Sequence, residues 1–225
     1  MVVLSHNHTS TLLLFPTGTS IRQATSEEFE KVSAIFTSTW HKQKGSCPNV
    51  ECVFVVSNSA LKKRWNTYRK QLQSEHQTVE KHFHGTTLMC RITLTRTLCT
   101  DQQCGICGIS SFGLDRNYIG KNISFQRFGE GFYLAPNSSK CHDYTEGAYG
   151  YRAMLLCDVC PGNKYQLKIT DQSLQGPPSG FNSVYGQVGT DLNYPEIVLY
   201  NPEAVMPRYI ILYKRDGVSH PLTLN

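Results

Sequence analysis

The sequence predicts an α+β domain, helices first and sheet after, and three observations carry that prediction. Two amphipathic helical patterns fall in the first third of the chain. From Val79 onward, short runs rich in Val, Ile, Tyr and Leu recur, separated by Gly, Pro or Asn. The gaps between the later runs are too short for helical crossovers, so the strands should pair mostly antiparallel.

Residues 1–25, rich in Ser and Thr, read as a loose lead-in to a single domain over residues 26–225. Ser26 is the expected N-cap of the first helix, with Glu27 and Glu28 in its first turn. Phe29, Val32, Phe36 and Trp40 follow at helical spacing, and Cys47-Pro48 breaks the pattern. Val50–Val56 (VECVFVV) reads as a strand. Leu61, Trp65, Tyr68 and Leu72 form the stripe of a second helix. Its other face carries Lys62, Lys63, Arg64, Arg69 and Lys70, which is either a solvated surface or a nucleic-acid-binding one. The β runs are then VEKHF, YRAMLLCDV, KYQLKI, NSVYGQV, PEIVLYN and MPRYIILY.

With 225 residues, 40% hydrophobic and 17% charged, the chain can bury one sizeable core. No apolar run approaches the roughly 20 residues that span a bilayer, so no membrane partner is expected. The start, MVVLSHNHTSTLLLFP, has only the short patch Leu12–Phe15 and no basic leader, so no secretory signal is expected. The net charge of +5 favours anionic partners such as a dinucleotide. Nine cysteines, four of them between Cys90 and Cys107, suit a reducing compartment and a metal site better than a disulfide framework. An intracellular location, nuclear or cytoplasmic, and a monomer follow as expectations.

Three segments concentrate chemistry. The run VEKHF leads into His84-Gly85-Thr86, where an imidazole can meet a ribose hydroxyl and a glycine lets a flat ligand approach the backbone. Next, Gly129-Glu130-Gly131-Phe132-Tyr133-Leu134-Ala135 runs into Pro136-Asn137-Ser138-Ser139-Lys140-Cys141-His142-Asp143-Tyr144, a strand followed by a capped short helix. Two tyrosines from one strand-to-helix turn can sandwich a planar heterocycle. Finally, Glu196 opens the apolar run EIVLY, where a carboxylate is costly without a task or a partner.

Taken singly, each segment has a plain structural explanation as a turn, a pair of core aromatics or a strand-end carboxylate. In this order, the three together resemble the catalytic domain of poly(ADP-ribose) polymerases, from roughly Val50 to Lys214. The resemblance implies the diphtheria-toxin-like ADP-ribosyltransferase fold, a mostly antiparallel split β-sheet, with its His-Tyr-Glu triad at His84, Tyr133 and Glu196. It implies NAD+ as substrate. His84 would bind the adenosine ribose, and Gly85 the nicotinamide carboxamide, with Thr86 and Ala135 lining the pocket. Tyr133 and Tyr144 would stack on the nicotinamide ring, and Glu196 would bind the 2′-hydroxyl of its ribose. The family has Ser where this chain has Cys141, a weaker donor to the carboxamide. The expected activity is transfer of a single ADP-ribose to a protein acceptor, because the loop VYGQVGTDLNYP before Glu196 is short. The alternatives are a polymerising enzyme, which Glu196 favours, a module that binds NAD+ without turnover, or a zinc-dependent nucleic-acid module.

Cys90, Cys99, Cys104 and Cys107 follow the spacing C-x8-C-x4-C-x2-C and form the expected structural zinc site, an insertion over about 90–107. Members of the tankyrase type carry a short zinc loop with a His among its ligands, whereas this one would be all-Cys. Cys90 could instead be the core residue of a strand LMCRITL. Cys157 and Cys160 form a second C-x2-C, which reads as core rather than metal site.

Overall fold

VFVV, AMLLC and YIILY are unbroken apolar runs, and unbroken runs belong to strands covered on both faces. The computed structural model describes residues 18–41, 43, 45–119 and 126–214. Along the chain these form β1 (Thr19–Gln23), α1 (Ser26–Ser38), β2 (Val50–Asn58), α2 (Ser59–Gln71), β3 (Glu80–Gly85), α3 (Ile92–Thr95) and α4 (Gly105–Phe112). Then come β4 (Phe132–Leu134), α5 (Ser138–His142), β5 (Tyr151–Val159), β6 (Lys164–Leu167), β7 (Ser183–Gly186), β8 (Glu196–Leu199) and β9 (Val205–Lys214). The class is α+β, as expected, with the sheet split in two.

The first sheet has the order β1-β2-β9-β5-β3 and is antiparallel throughout. One face, with Val53, Met154, Leu156, Ile211 and Tyr213, packs on Val32 and Phe36 of α1. The other, with Phe54, Leu155, Ile210 and Leu212, packs on α2 and α4 and on Ile197 and Leu199 of the second sheet. Burial on both sides explains the apolar runs. The second sheet has the order β4-β8-β7-β6. Its β6–β7 pair is parallel, an exception to the antiparallel expectation. The connection over 168–182 makes this crossover without a helix.

Among the described residues, the two sheets meet at one antiparallel bridge, Phe83 to Ala135. There Phe83 N donates to the Ala135 carbonyl at 2.7 Å, and Ala135 N returns the bond at 3.0 Å. This seam places the end of β3 beside the end of β4.

Three local expectations need correction. The cap of α1 is Thr25, not Ser26: Thr25 Oγ1 accepts from Glu28 N at 3.3 Å, and Glu28 Oε2 accepts from Thr25 N at 2.9 Å. Glu28 also holds Arg22 at 2.6 Å. Part of the expected lead-in, Thr19–Gln23, is an edge strand paired with β2, while residues 1–17 lie outside the described residues. The segment LMCRITL is not a strand: Ile92–Thr95 form one helical turn, closed by Arg96 at φ 53°.

Candidate active site

β3 ends in His84 and Gly85, and the seam carries them across to β4. His84 Nδ1 lies 3.0 Å from the Tyr133 backbone oxygen. A carbonyl can only accept, so Nδ1 bears the proton and neutral Nε2 presents a lone pair. Burial pushes the imidazole pKa down, against the opposing pull of that hydrogen bond. His84 is therefore a neutral acceptor suited to a hydroxyl donor.

Gly85 sits under α5. A Cβ there would run into the Cys141 carbonyl oxygen and come within 3.1 Å of Tyr144 Cβ, so only glycine fits. Tyr144 stands beside it with 44% of its surface exposed, leaving ring face for a planar ligand. The Cys141 thiol donates to the Phe83 carbonyl at 3.1 Å, and burial pushes its pKa up to about 12. It is a neutral thiol whose hydrogen is already engaged. Both backbone groups of Ala135 are taken by Phe83, and its side chain is buried, so it shapes the wall without offering a polar group.

Tyr133 pairs with Val198 across β4–β8, and Glu196 lies two residues from Val198 on the same face. The Tyr133 hydroxyl donates to the Gly129 carbonyl at 2.8 Å and accepts from Phe128 N at 2.9 Å. Its polar end is thus spent on holding the Gly129–Gly131 loop. Gly129 adopts φ 68°, a conformation that favours glycine.

Glu196 is 4% exposed. Lys140 Nζ lies 3.2 Å from its Oε2, while Oε1 is buried and finds no hydrogen-bond partner. Lys140 also stands 5.5 Å over the Tyr144 ring. Burial pulls the lysine pKa down, but Glu196 and Tyr144 outweigh it and hold the ammonium above its ordinary value. Lys140 is the residue that sequence reasoning passed over. Its spacing of four from Tyr144, on the motif helix and the turn after it, was the available signal.

His84, Gly85, Tyr133, Ala135, Cys141, Tyr144 and Glu196 thus gather where the two sheets meet α5. Thr86 turns away from this cluster. Its carbonyl accepts from Glu146 N at 3.4 Å, and its side chain packs on Gly105 at the start of α4.

The four cysteines converge as expected: the sulfurs of Cys90, Cys99, Cys104 and Cys107 all lie within 4.8 Å of one another. Cys90 and Cys107 Sγ are 3.6 Å apart. Hydrogen bonds from Cys107 and Cys90 draw the Cys104 pKa down, and the same sharing pushes Cys107 up. Met89 N also donates to Cys104 Sγ at 3.4 Å, the kind of backbone bond that steadies a thiolate. Four sulfurs in one cluster, one on the N-cap of α4 and one in its first turn, fit a tetrahedral zinc. Cys157 and Cys160 are separately buried in the core, and all nine cysteines are free of disulfides.

The split, mostly antiparallel sheet thus brings His84, Tyr133 and Glu196 together at its seam. The sequence model of the poly(ADP-ribose) polymerase catalytic domain matches residues 26–191, and the chain belongs to that family. It is 31% identical over 112 residues to the protein mono-ADP-ribosyltransferase PARP4 of Homo sapiens, covering 47% of this chain and 6% of that protein. Against PARP4 of Mus musculus it is 31% identical over 124 residues, covering 50% and 6%. Against the protein mono-ADP-ribosyltransferase PARP3 of Mus musculus it is 36% identical over 69 residues, covering 29% and 13%. The chain therefore spans only a small part of these relatives. Among the described residues, no helix is long and apolar enough to cross a membrane.

Proposed function

We propose that residues 26–225 form a catalytic domain that breaks the nicotinamide glycosidic bond of NAD+ and transfers one ADP-ribose to a protein side chain. The observation that carries this is Glu196: a buried carboxylate, held by Lys140 through one oxygen, with the other lacking a partner. An unsatisfied buried acceptor is costly, and a ribose hydroxyl is the donor it lacks. Glu196 Oε1 would take the 2′-hydroxyl of the nicotinamide ribose and set negative charge beside the oxocarbenium-like transition state. Nicotinamide leaves neutral because its ring nitrogen starts positive, so no strong general acid is needed. His84 Nε2 would accept from the adenosine ribose. Gly85 would offer its backbone to the carboxamide, between the Tyr144 and Tyr133 rings. Chemistry at such a site is positioning and electrostatics.

The four cysteines would hold a zinc ion, which supplies a closed tetrahedral crosslink with no open position for substrate. Single transfer is supported by the loop over 187–195. It is short and folds back on itself, with Gly189 N on the Leu192 carbonyl at 3.0 Å and Leu192 buried. The names of the relatives point the same way.

Labelled NAD+ given to wild type should release nicotinamide and mark protein in discrete bands. Glu196→Gln should lower release by about 10²–10³. A ladder of lengthening products would defeat single transfer, and equal release by both proteins would defeat the mechanism. Cys141 supports a second reading, in which the domain binds NAD+ without turnover, because its thiol is committed to Phe83. Saturable NAD+ binding with no nicotinamide release would select that reading.

A further inference from the structure

The cysteine cluster reaches both nicotinamide walls of the proposed pocket through one short intervening segment on each side. On the β3 side, the residue after Thr86 is clasped by the start of α4. Thr87 Oγ1 accepts from Gly105 N at 3.0 Å and donates to the Gln103 carbonyl, and the Thr87 carbonyl accepts from Ile106 N at 3.0 Å. Gln103, Gly105 and Ile106 flank Cys104 and precede Cys107, so the clasp is made by the backbone that the thiols fold. A Cβ on Gly105 would run into the Thr86 side chain, which fixes how closely the two segments approach.

On the other side, the chain leaving Tyr144 docks on the same module. Leu88 N donates to the Glu146 carbonyl at 2.8 Å, and Thr87 and Glu146 form a parallel bridge. Arg91, next to Cys90, stacks 4.5 Å from the Tyr149 ring centroid. Tyr149 holds φ 55°, and Gly150 follows at φ 82°. A positive φ at tyrosine is strained, so this turn persists only where its surroundings hold it.

Thr86–Leu88 thus connects Gly85 to the cluster, and Glu146–Tyr149 connects Tyr144 to it. The backbone between Cys90 and Cys104 has only the four-residue α3 as regular structure, anchored by Ile92 in the core, and the rest of its shape comes from short local turns and the sulfurs.

We propose that the four-cysteine centre, bridged by a zinc-like divalent ion, is the positioning element for the nicotinamide end of the pocket, setting Gly85 against Tyr144. This rests on the proposed NAD+ site and gives that site a metal-dependent state. With the sulfurs bridged, α4 starts where Thr87 requires it, and Glu146 is held within reach of Leu88. Without the bridge, Gln103–Ile106 keep only the packing of Ile106 in the core and the clasp's own hydrogen bonds, to which four neighbouring thiols add little.

The test uses the whole chain, with 3-aminobenzamide as probe of the nicotinamide subsite. Cobalt(II) added to metal-stripped protein should give a sulfur-to-metal charge-transfer band at one ion per chain, the signature of the four-sulfur set. Stripping the metal should speed hydrogen exchange at the Leu88, Ile106 and Glu146 amides and leave the β2 and β9 amides protected. It should also weaken 3-aminobenzamide by about tenfold, with zinc restoring both. Should stripping unfold the chain, Thr87→Val serves instead: it keeps all four thiols, removes the two hydroxyl bonds of the clasp, and should weaken 3-aminobenzamide while cobalt binding persists. Unchanged affinity in Thr87→Val, or in a folded metal-free chain, overturns the proposal and leaves the NAD+ site standing. A metal-loaded wild type that ignores 3-aminobenzamide overturns both, and a chain that takes up no cobalt overturns the metal's part.

Discussion

A side chain on Gly85 has nowhere to go. Its Cβ would meet a backbone carbonyl, that of Cys141, which cannot swing aside as the end of a flexible side chain could. Overpacking of this kind typically costs about 1–3 kcal/mol. Here the strain falls between β3 and α5, on the proposed carboxamide contact. Gly85→Ala should therefore weaken 3-aminobenzamide by about tenfold or more in a calorimetric titration, while circular dichroism shows the sheet intact. Full affinity in that variant would remove Gly85 from the pocket. Lys140 shows the opposite kind of residue, one whose meaning is invisible in a single motif. It is an ordinary basic residue beside Cys141 until folding sets β8 opposite α5 and delivers Glu196 to it at 3.2 Å. The half-buried Lys140 offsets part of the desolvation cost of the buried Glu196.

At the scale of elements, α1 is closed at its start by a reciprocal pair, Thr25 with Glu28, and Arg22 on β1 braces that glutamate. The cap thus joins an edge strand to a helix. Thr25→Ala should cost about 1 kcal/mol of unfolding free energy, read as a shift in the denaturant midpoint with unchanged slope. No change would mean that Ser26 takes over the cap, as its hydroxyl first suggests. The pattern T-x-x-E was readable and favours Thr25, since a cap at Ser26 would place Phe29 where the glutamate belongs. β1 was not readable. TSIRQ is short, mostly polar and half-exposed, and only pairing with β2 makes it a strand. LMCRITL has strand composition, yet the sulfur cluster at Cys90 and the closeness of α4 turn it into a helical turn. Long periodic segments such as α1 and α2 were legible because burial of one face decides them. Short segments go to whichever tertiary contact wins.

For the whole molecule, the decisive feature is the seam. Two sheets meet at Phe83 and Ala135, and next to that bridge His84 Nδ1 spans from β3 to the Tyr133 carbonyl on β4. The order of the three motifs in the sequence announced that they belong together. It could not say that the Phe83–Ala135 bridge would join them, because the register of β3 on β4 is set by long-range pairing. This seam has a pH signature. Burial holds the folded-state pKa of His84 below the ordinary value of about 6.5. The unfolded chain then takes the proton first, so stability is full above about pH 6.5 and falls as pH drops below it. The acid-sensitive carboxylates act lower. Glu28 is held at about 2 by Arg22 and the cap, and Glu80 at about 2 by His82 and Lys164. Their contributions are present above about pH 4.5 and are lost as pH falls toward 2. The descent between about pH 6.5 and 4.5 should therefore carry the seam. His84→Gln, which keeps a donor for Tyr133 but does not titrate, should flatten that part of a melting-temperature profile and leave the lower step in place. NAD+ binding by wild type should weaken over the same interval, because a protonated Nε2 can no longer accept from a hydroxyl. A wild-type profile that stays flat until about pH 4.5 would mean that the imidazole is not the neutral link between the sheets.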